Sequence, residues 1–432
     1  MKNAFENTSV ITLGCAKNLV DSERFSGRLR ANGVEVLDNP DESETLIINT
    51  CGFIKAAKEE NIQVIMEAAD LRAQGKYKNL IVTGCLAERY TDEIKSQIPE
   101  VDHVLGTNSD EQILKILTGD DKYTLRGERM LMTPKHFAYM KISEGCNQKC
   151  SFCAIPLMRG KHVSTPIEEL LIEAKQLAAS GVKELIIIAQ DSTWYGLDLY
   201  KERALPKLLD ALAAVEGIEW IRLQYAYPRQ FPLEILDAIA SNPKICNYID
   251  IPLQHASDKV LKSMRRGVTR NQMEDLLGKF REVIPNVAIR STFIAGYPNE
   301  TEEDVEELKE LLRKMELDRV GIFTYSQEEN TGAFPLGDPL PEEVKDERRG
   351  ELMLLQQEIS LKKNSARIGS EMKILIDEQL DDQAVGRTEF DSPDVDNIVI
   401  LEGTTGLEVG EFYNAKITDA GEYELYGELI SE

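Results

Sequence analysis

Positive charge is scarce in this chain: 50 Lys and Arg stand against 75 Asp and Glu among 432 residues, a formal net charge of −25. Such a surface repels polyanions on average, so a nucleic-acid substrate would need a local basic patch. No apolar run reaches the roughly 18 residues that a membrane-spanning helix requires. The opening stretch MKNAFENTSVITLGCAKN lacks the basic segment and apolar core of a signal peptide. The expectation is a cytoplasmic protein with no membrane association. Low-complexity segments are also missing. Cysteine is sparse, seven in all, and in a reducing compartment clustered thiols point to metal or redox chemistry rather than to disulfides.

What is present divides into three segments, as a length well beyond one hydrophobic core leads one to expect. The first, residues 1–120, alternates apolar strands with helical stretches, which implies a parallel α/β sheet with right-handed crossovers. Three strands end alike: SVITLGC in Cys15, TLIINTC in Cys51 and NLIVTGC in Cys85, at spacings of 36 and 34 residues. Parallel strands would bring these thiols to one edge, where ligands of open α/β sheets gather. The blander alternative is that small Cys residues simply terminate buried strands.

A linker rich in Gly, Asp and Arg at 119–135 leads to the second segment, 136–365. Its strands AYMKIS, ELIIIAQ, WIRLQYA, YIDIPLQ, VAIRSTFIAG and VGIFTYS alternate with amphipathic helices. Six βα units are too few for an eight-fold barrel, so the expected architecture is an open, partial TIM-like barrel. FPLGDPLPEE precedes a charged helix running to about residue 365. From 366 to 432 five short strands, MKILIDE, AVGRTEF, NIVILE, EFYNAKITDA and YELYGELI, fit a small OB-like β-barrel.

Chemistry concentrates in GCNQKCSFC, where Cys146, Cys150 and Cys153 have C-x3-C-x2-C spacing on a loop beyond the first barrel strand. Soft thiolates suit iron-sulfur sites, and a four-iron cluster held by three of them keeps one iron open. That iron can chelate the amino and carboxylate groups of S-adenosylmethionine and break a carbon-sulfur bond with one electron. Zinc is the alternative, but its structural sites want a fourth ligand at short spacing, and only His162 lies within reach. Cys246 reads as a packed hydrophobe; His103 and His136 carry no pattern, and His255 follows a barrel strand.

The stretch YMKISEGCNQKCSFCAIPLMRG, with Phe152 just before the last Cys, resembles the radical S-adenosylmethionine superfamily. TLGCAKNLVDSE, NTCGFI and VTGCLAER look like the N-terminal domain of the methylthiotransferases within it, and the terminal barrel resembles their TRAM domain. The resemblance covers essentially the whole chain. It implies a second 4Fe-4S cluster on Cys15, Cys51 and Cys85, and S-adenosylmethionine as both radical source and methyl donor. IAQDSTWYG and WIRLQYAYP match less specifically; they offer Gln190, Asp191 and Arg222 as cofactor contacts beside Phe152, with Arg222 pairing with the cofactor carboxylate. In FIAGYPNETEED, Asn299 stands where the family usually has Gly.

Methylthiotransferases act either on an adenosine of transfer RNA or on an aspartate of a small-subunit ribosomal protein. From Ala366 onward 4 Lys and Arg face 17 Asp and Glu, a net of −13 over 67 residues. Such a barrel is poorly suited to gripping phosphates and well suited to steering a basic protein. QDSTWYG, DIPLQHAS and GRTEFDSPDVDN also resemble the protein-directed branch. The resemblance then implies methylthiolation of the β-carbon of an aspartate in small-subunit ribosomal protein twelve, free or within its subunit. It also implies a low-potential electron donor such as flavodoxin or ferredoxin, and the chain is expected to be a monomer. The rivals are the same chemistry on transfer RNA and a non-enzymatic iron-sulfur sensor or electron carrier.

Overall fold

The structure, a computed structural model, describes residues 7–119 and 128–430; part of the expected linker, 120–127, lies outside them. Strands β1 (Asn7–Thr12), β2 (Glu35–Leu37), β3 (Thr45–Thr50), β4 (Asn79–Gly84) and β5 (His103–Val104) form one parallel sheet in the order β2-β1-β3-β4-β5. β3 and β4 are buried throughout and have apolar centres, Leu46–Ile48 and Leu80–Val82, as strands covered on both faces do. Leu46, Ile48, Leu80 and Val82 pack on one face against Ile65 and Ala69 of the helix Lys55–Ala73. Ile47 and Ile81 point the other way, onto Phe25 and Leu29 of the helix Ala16–Ala31. The sequence shows three of these five strands; β2 and β5, three and two residues long, are too short to carry a period.

The second sheet contains β6 (Phe137–Lys141), β9 (Glu184–Ile188), β10 (Trp220–Leu223), β11 (Ile245–Asp250), β12 (Ala288–Ala295) and β13 (Arg319–Thr324), all parallel and in that order. Six parallel strands that do not close make the open barrel expected. A small antiparallel hairpin, β7 (Ser143–Glu144) with β8 (Val163–Ser164), brackets the cysteine loop. Helices cover the outside of the sheet, and their apolar stripes merge with Ile187, Ile221, Ile249 and Ile289 in the largest core. The inner face is covered by the flanking units. Val20 from the helix Ala16–Ala31 lies on Phe137, Tyr139, Ile186 and Ile188, while Leu375 and Phe390 from the C-terminal barrel lie on Trp220, Tyr248 and Ala288.

β14 (Glu371–Gln379), β15 (Gln383–Arg387), β16 (Ile398–Glu402), β17 (Phe412–Ala420) and β18 (Glu424–Leu429) close into a barrel in the order β14-β15-β16-β18-β17. Register breaks at Ile376/Glu378 and Ile417/Asp419 supply the bends that closure needs. Ile374, Ile376, Val399, Leu401, Ile417 and Leu425 fill its interior. Among the described residues no helix is long and apolar enough to cross a membrane.

Candidate metal centres at the barrel mouth

β6 delivers the chain to the loop that carries the first thiol triplet. The loop is tied down from several sides. Cys146 N–H donates to Gly160 O (3.1 Å), Ser151 N–H to Met264 O (2.9 Å), and Ala333 N–H to Ser151 O (2.6 Å). Cys146 Sγ accepts from Gln148 N–H at 3.4 Å, and Cys150 Sγ accepts from Arg266 at 3.2 Å with Tyr227 Oη 3.3 Å away. The Arg266 guanidinium lies over the Tyr227 ring, 4.2 Å from its centroid. Burial pushes the Cys146 and Cys153 thiols up to about 12.

All described cysteines are free. Three soft donors on an immobilised loop, two of whose sulfurs already receive hydrogen bonds that favour the thiolate, fit an iron-sulfur cluster. Metal coordination would deprotonate these thiols against the burial that raises Cys146 and Cys153. The zinc alternative wants a fourth protein ligand, and the one residue the sequence offers for it does not face the triplet with its Nε2. His162 instead turns its Nε2 to Ser164 Oγ at 3.1 Å.

The second triplet stands at the carboxyl ends of β1, β3 and β4. Gly14 and Gly84, both at φ +95°, turn the chain out of its strand immediately before Cys15 and Cys85. A side chain at Gly14 would collide with Cys51, because its Cβ would lie 2.5 Å from the Cys51 Cβ. One residue laces the three strand ends together: Asn18 Nδ2 donates to Leu13 O (2.8 Å) and Thr50 O (3.0 Å), and its Oδ1 lies 3.8 Å from Cys85 Sγ. Cys51 is further fixed by Asn61 Oδ1, which accepts from its N–H at 2.7 Å. Burial raises the Cys51 thiol to about 11 and raises Cys85 as well, in the latter case against the opposing pull of Arg159.

The two triplets are neighbours. Cys85 packs against Ala154 and Met158, in the turn and helix that directly follow Cys153. At the end of that helix Arg159 donates from Nε to Cys85 Sγ (3.3 Å) and from Nη1 to Asp21 (2.8 Å) and Glu144 (3.0 Å). Lys141 joins the same two carboxylates. Burial alone would raise the Asp21 carboxyl, but Lys141 and Arg159 outweigh it and bring it down to about 2. Arg159, Asp21, Asn18, Glu144 and Arg266 were not singled out by sequence. The available signal was polar residues three and six positions past Cys15 on one helix, and arginines preceding Gly160 and Gly267 near the thiols.

Of the other expected contacts, Phe152 packs beside Met264, Tyr297 and Tyr325 on the cysteine loop. Gln190 Nε2 donates to Glu144 Oε1 (2.9 Å), and its own Oε1 is buried without a hydrogen-bond partner. Asp191 accepts from Gln148 Nε2 at 2.8 Å. Arg222 is not brought to this group. Wholly buried, it donates to Glu184 Oε1 (2.7 Å), Glu389 O (2.6 Å) and Thr388 O (3.3 Å), so its donors bind the C-terminal barrel to the sheet.

Family models match three stretches of the chain: the Radical SAM superfamily at 140–312, the Uncharacterized protein family UPF0004 at 7–106 and the TRAM domain at 368–430. The structure resembles the radical S-adenosylmethionine methyltransferase TsrM from Kitasatospora setae, with a TM-score of 0.56 at 12% identity over 74% of this chain and 73% of that one. It also resembles the cobalamin-dependent S-adenosylmethionine radical enzyme OxsB, at a TM-score of 0.52 and 11% identity over 82% and 56%. At such identities the likeness is one of fold. Fold and matched segment together define a radical S-adenosylmethionine enzyme, a class built on an iron-sulfur cluster and that cofactor.

Curated relatives narrow this. The chain is 55% identical over 424 residues, 97% of either chain, to the ribosomal protein uS12 methylthiotransferase RimO of Flavobacterium johnsoniae. It is 48% identical over 421 residues to that of Aquifex aeolicus, covering 97% of this chain and 96% of the relative. The chain belongs to the RimO family of radical SAM methylthiotransferases.

Proposed function

We propose that this enzyme adds a methylthio group to the β-carbon of an aspartate in ribosomal protein uS12, with Cys146, Cys150 and Cys153 holding one 4Fe-4S cluster and Cys15, Cys51 and Cys85 a second. The observation that carries the two-centre reading is the adjacency of the triplets, with Cys85 against Ala154 and Met158 and Arg159 reaching from one to the other. When bound, the barrel cluster supplies the electron that cleaves S-adenosylmethionine to a radical, and the N-terminal cluster carries the sulfur to be inserted.

The chain's own residues bind and orient. Arg266 and Gln148 N–H donate to the sulfurs of Cys150 and Cys146, and would stabilise them as thiolates once a cluster is bound. Gln190 offers an unpartnered buried oxygen at the end of β9, an acceptor for a donor on the cofactor, and Phe152 an aromatic face beside the loop. Glu144 fixes Gln190 while it neutralises Lys141 and Arg159. Domains 1–120, 136–365 and 366–432 divide the work between sulfur, radical and partner.

The acidic C-terminal barrel favours a basic ribosomal protein over RNA. The working site is the cytoplasm, with a low-potential donor such as flavodoxin or ferredoxin and a monomeric enzyme. Incubating reconstituted enzyme, reductant and S-adenosylmethionine with uS12 and, separately, with transfer RNA tests this by mass spectrometry. A methylthio mass gain on uS12 is expected; modified RNA beside unmodified protein overturns it.

A further inference from the structure

Lys17 lies two residues beyond Cys15, and its surroundings are those of a cation awaiting an anion. It is only 7% exposed. Among the described residues no carboxylate lies within ion-pair distance of it; its ammonium rests instead on the Tyr225 ring, 3.0 Å from the centroid. A buried ammonium is costly when nothing compensates it, and an aromatic face compensates only in part. Two further features add positive potential at this spot. The helix Ala16–Ala31 begins here with no side-chain cap on its first N–H groups, and its first turn contains no acidic residue.

Tyr225 is held for this contact. It adopts φ +61°, a conformation that costs energy for a residue with a side chain. Hydrogen bonds maintain it, from its N–H to Asp250 (3.0 Å) and from Ser192 N–H to its carbonyl (3.0 Å). Two residues further on, Tyr227 touches Cys150 Sγ. The Lys17–Tyr225 contact thus joins the chain two residues after Cys15 to the chain two residues before the tyrosine that touches Cys150, over the inner face of the open barrel.

We propose that Lys17 receives the side-chain carboxylate of the aspartate that is modified. The inference rests on the reading of uS12 as substrate and deepens it by naming the group that recognises the target residue. The carbon to be modified is bonded directly to that carboxylate, so an ion pair to Lys17, aided by the open helix terminus, would orient the β-carbon between the two centres. It would also reject residues without the charge.

The test uses the reconstituted holoenzyme and measures its affinity for uS12 and for uS12 whose target aspartate is replaced by asparagine. Wild type is expected to favour the aspartyl form by about tenfold or more, Lys17→Met to bring the ratio to about one, and Lys17→Arg to retain most of the preference. A Lys17→Met enzyme that keeps the wild-type ratio, or a wild type without preference, overturns the inference. Should Lys17→Met lose iron, Tyr225→Leu replaces it: at full iron content its ratio should fall at least about threefold, and an unchanged ratio assigns Lys17 to the neighbouring thiolates instead. A wild type that binds neither form and modifies transfer RNA overturns the proposed substrate itself, a result distinct from retained binding with an unchanged ratio.

Discussion

Arg159 Nε donates to Cys85 Sγ at 3.3 Å, and this contact joins the barrel to the N-terminal sheet at the place where the two thiol triplets adjoin. The same side chain neutralises Asp21 and Glu144. Replacing it by Met leaves Lys141 alone facing two carboxylates. The expected cost is about 3 kcal/mol or more, in the range for one partner removed from a buried pair. Urea unfolding of Arg159→Met beside wild type measures it, and Arg159→Lys should recover part.

Stability should fall in acid in a way that Asp21 makes visible. Its carboxyl titrates at about 2 in the folded chain and at the usual 3.8 when unfolded. Between those values the unfolded state binds more protons, so stability rises with pH. The contribution is fully present above about pH 5 and disappears as pH drops toward 2. Unfolding free energies of wild type and Asp21→Asn should therefore converge on acidification over this window; a constant difference contradicts the assignment.

Gly14 faces Cys51 so closely that any Cβ must displace it. At φ +95° an added side chain is strained as well. Gly14→Ala should accordingly move Cys15 away from Cys51 and lower iron per chain toward the value for Cys15→Ala, about half of wild type if the triplets are independent sites. Iron and sulfide analysis after anaerobic reconstitution checks this.

Glu184 sits fully buried between Arg222 and Arg387. Burial by itself would raise its carboxyl, and the two guanidiniums outweigh that and lower it. Glu184→Gln leaves two buried cations without their shared anion, an expected loss of about 3–5 kcal/mol. Because Arg222 also holds Thr388 and Glu389, limited proteolysis should release the C-terminal barrel from this variant sooner than from wild type.

Period and spacing carried much of this organisation. Each of the five strands of the C-terminal barrel and the six of the open barrel overlaps an apolar run read from the sequence, because strand burial writes its own period into the chain. The run YIDIPLQ is the one most displaced, since its strand spans Ile245–Asp250 and ends before Pro252. The gathering of Cys15, Cys51 and Cys85 followed from the parallel sheet alone. Contacts between units left no such trace. Arg222 resembles a cofactor ligand by motif, yet its partners Glu184, Thr388 and Glu389 lie 38 to 167 residues away. Lys17 and Tyr225 lie on different units and meet only in the fold. Arg159 and Cys85 are equally remote, 74 residues apart.

The central claim is that Cys146, Cys150 and Cys153 hold a four-iron cluster with one iron open to S-adenosylmethionine. The most direct measurement is the electron paramagnetic resonance spectrum of reduced Cys15→Ala protein, in which only the barrel triplet remains complete, recorded before and after the cofactor is added. The account predicts a cluster signal that shifts on addition. A signal unchanged by the cofactor would contradict it.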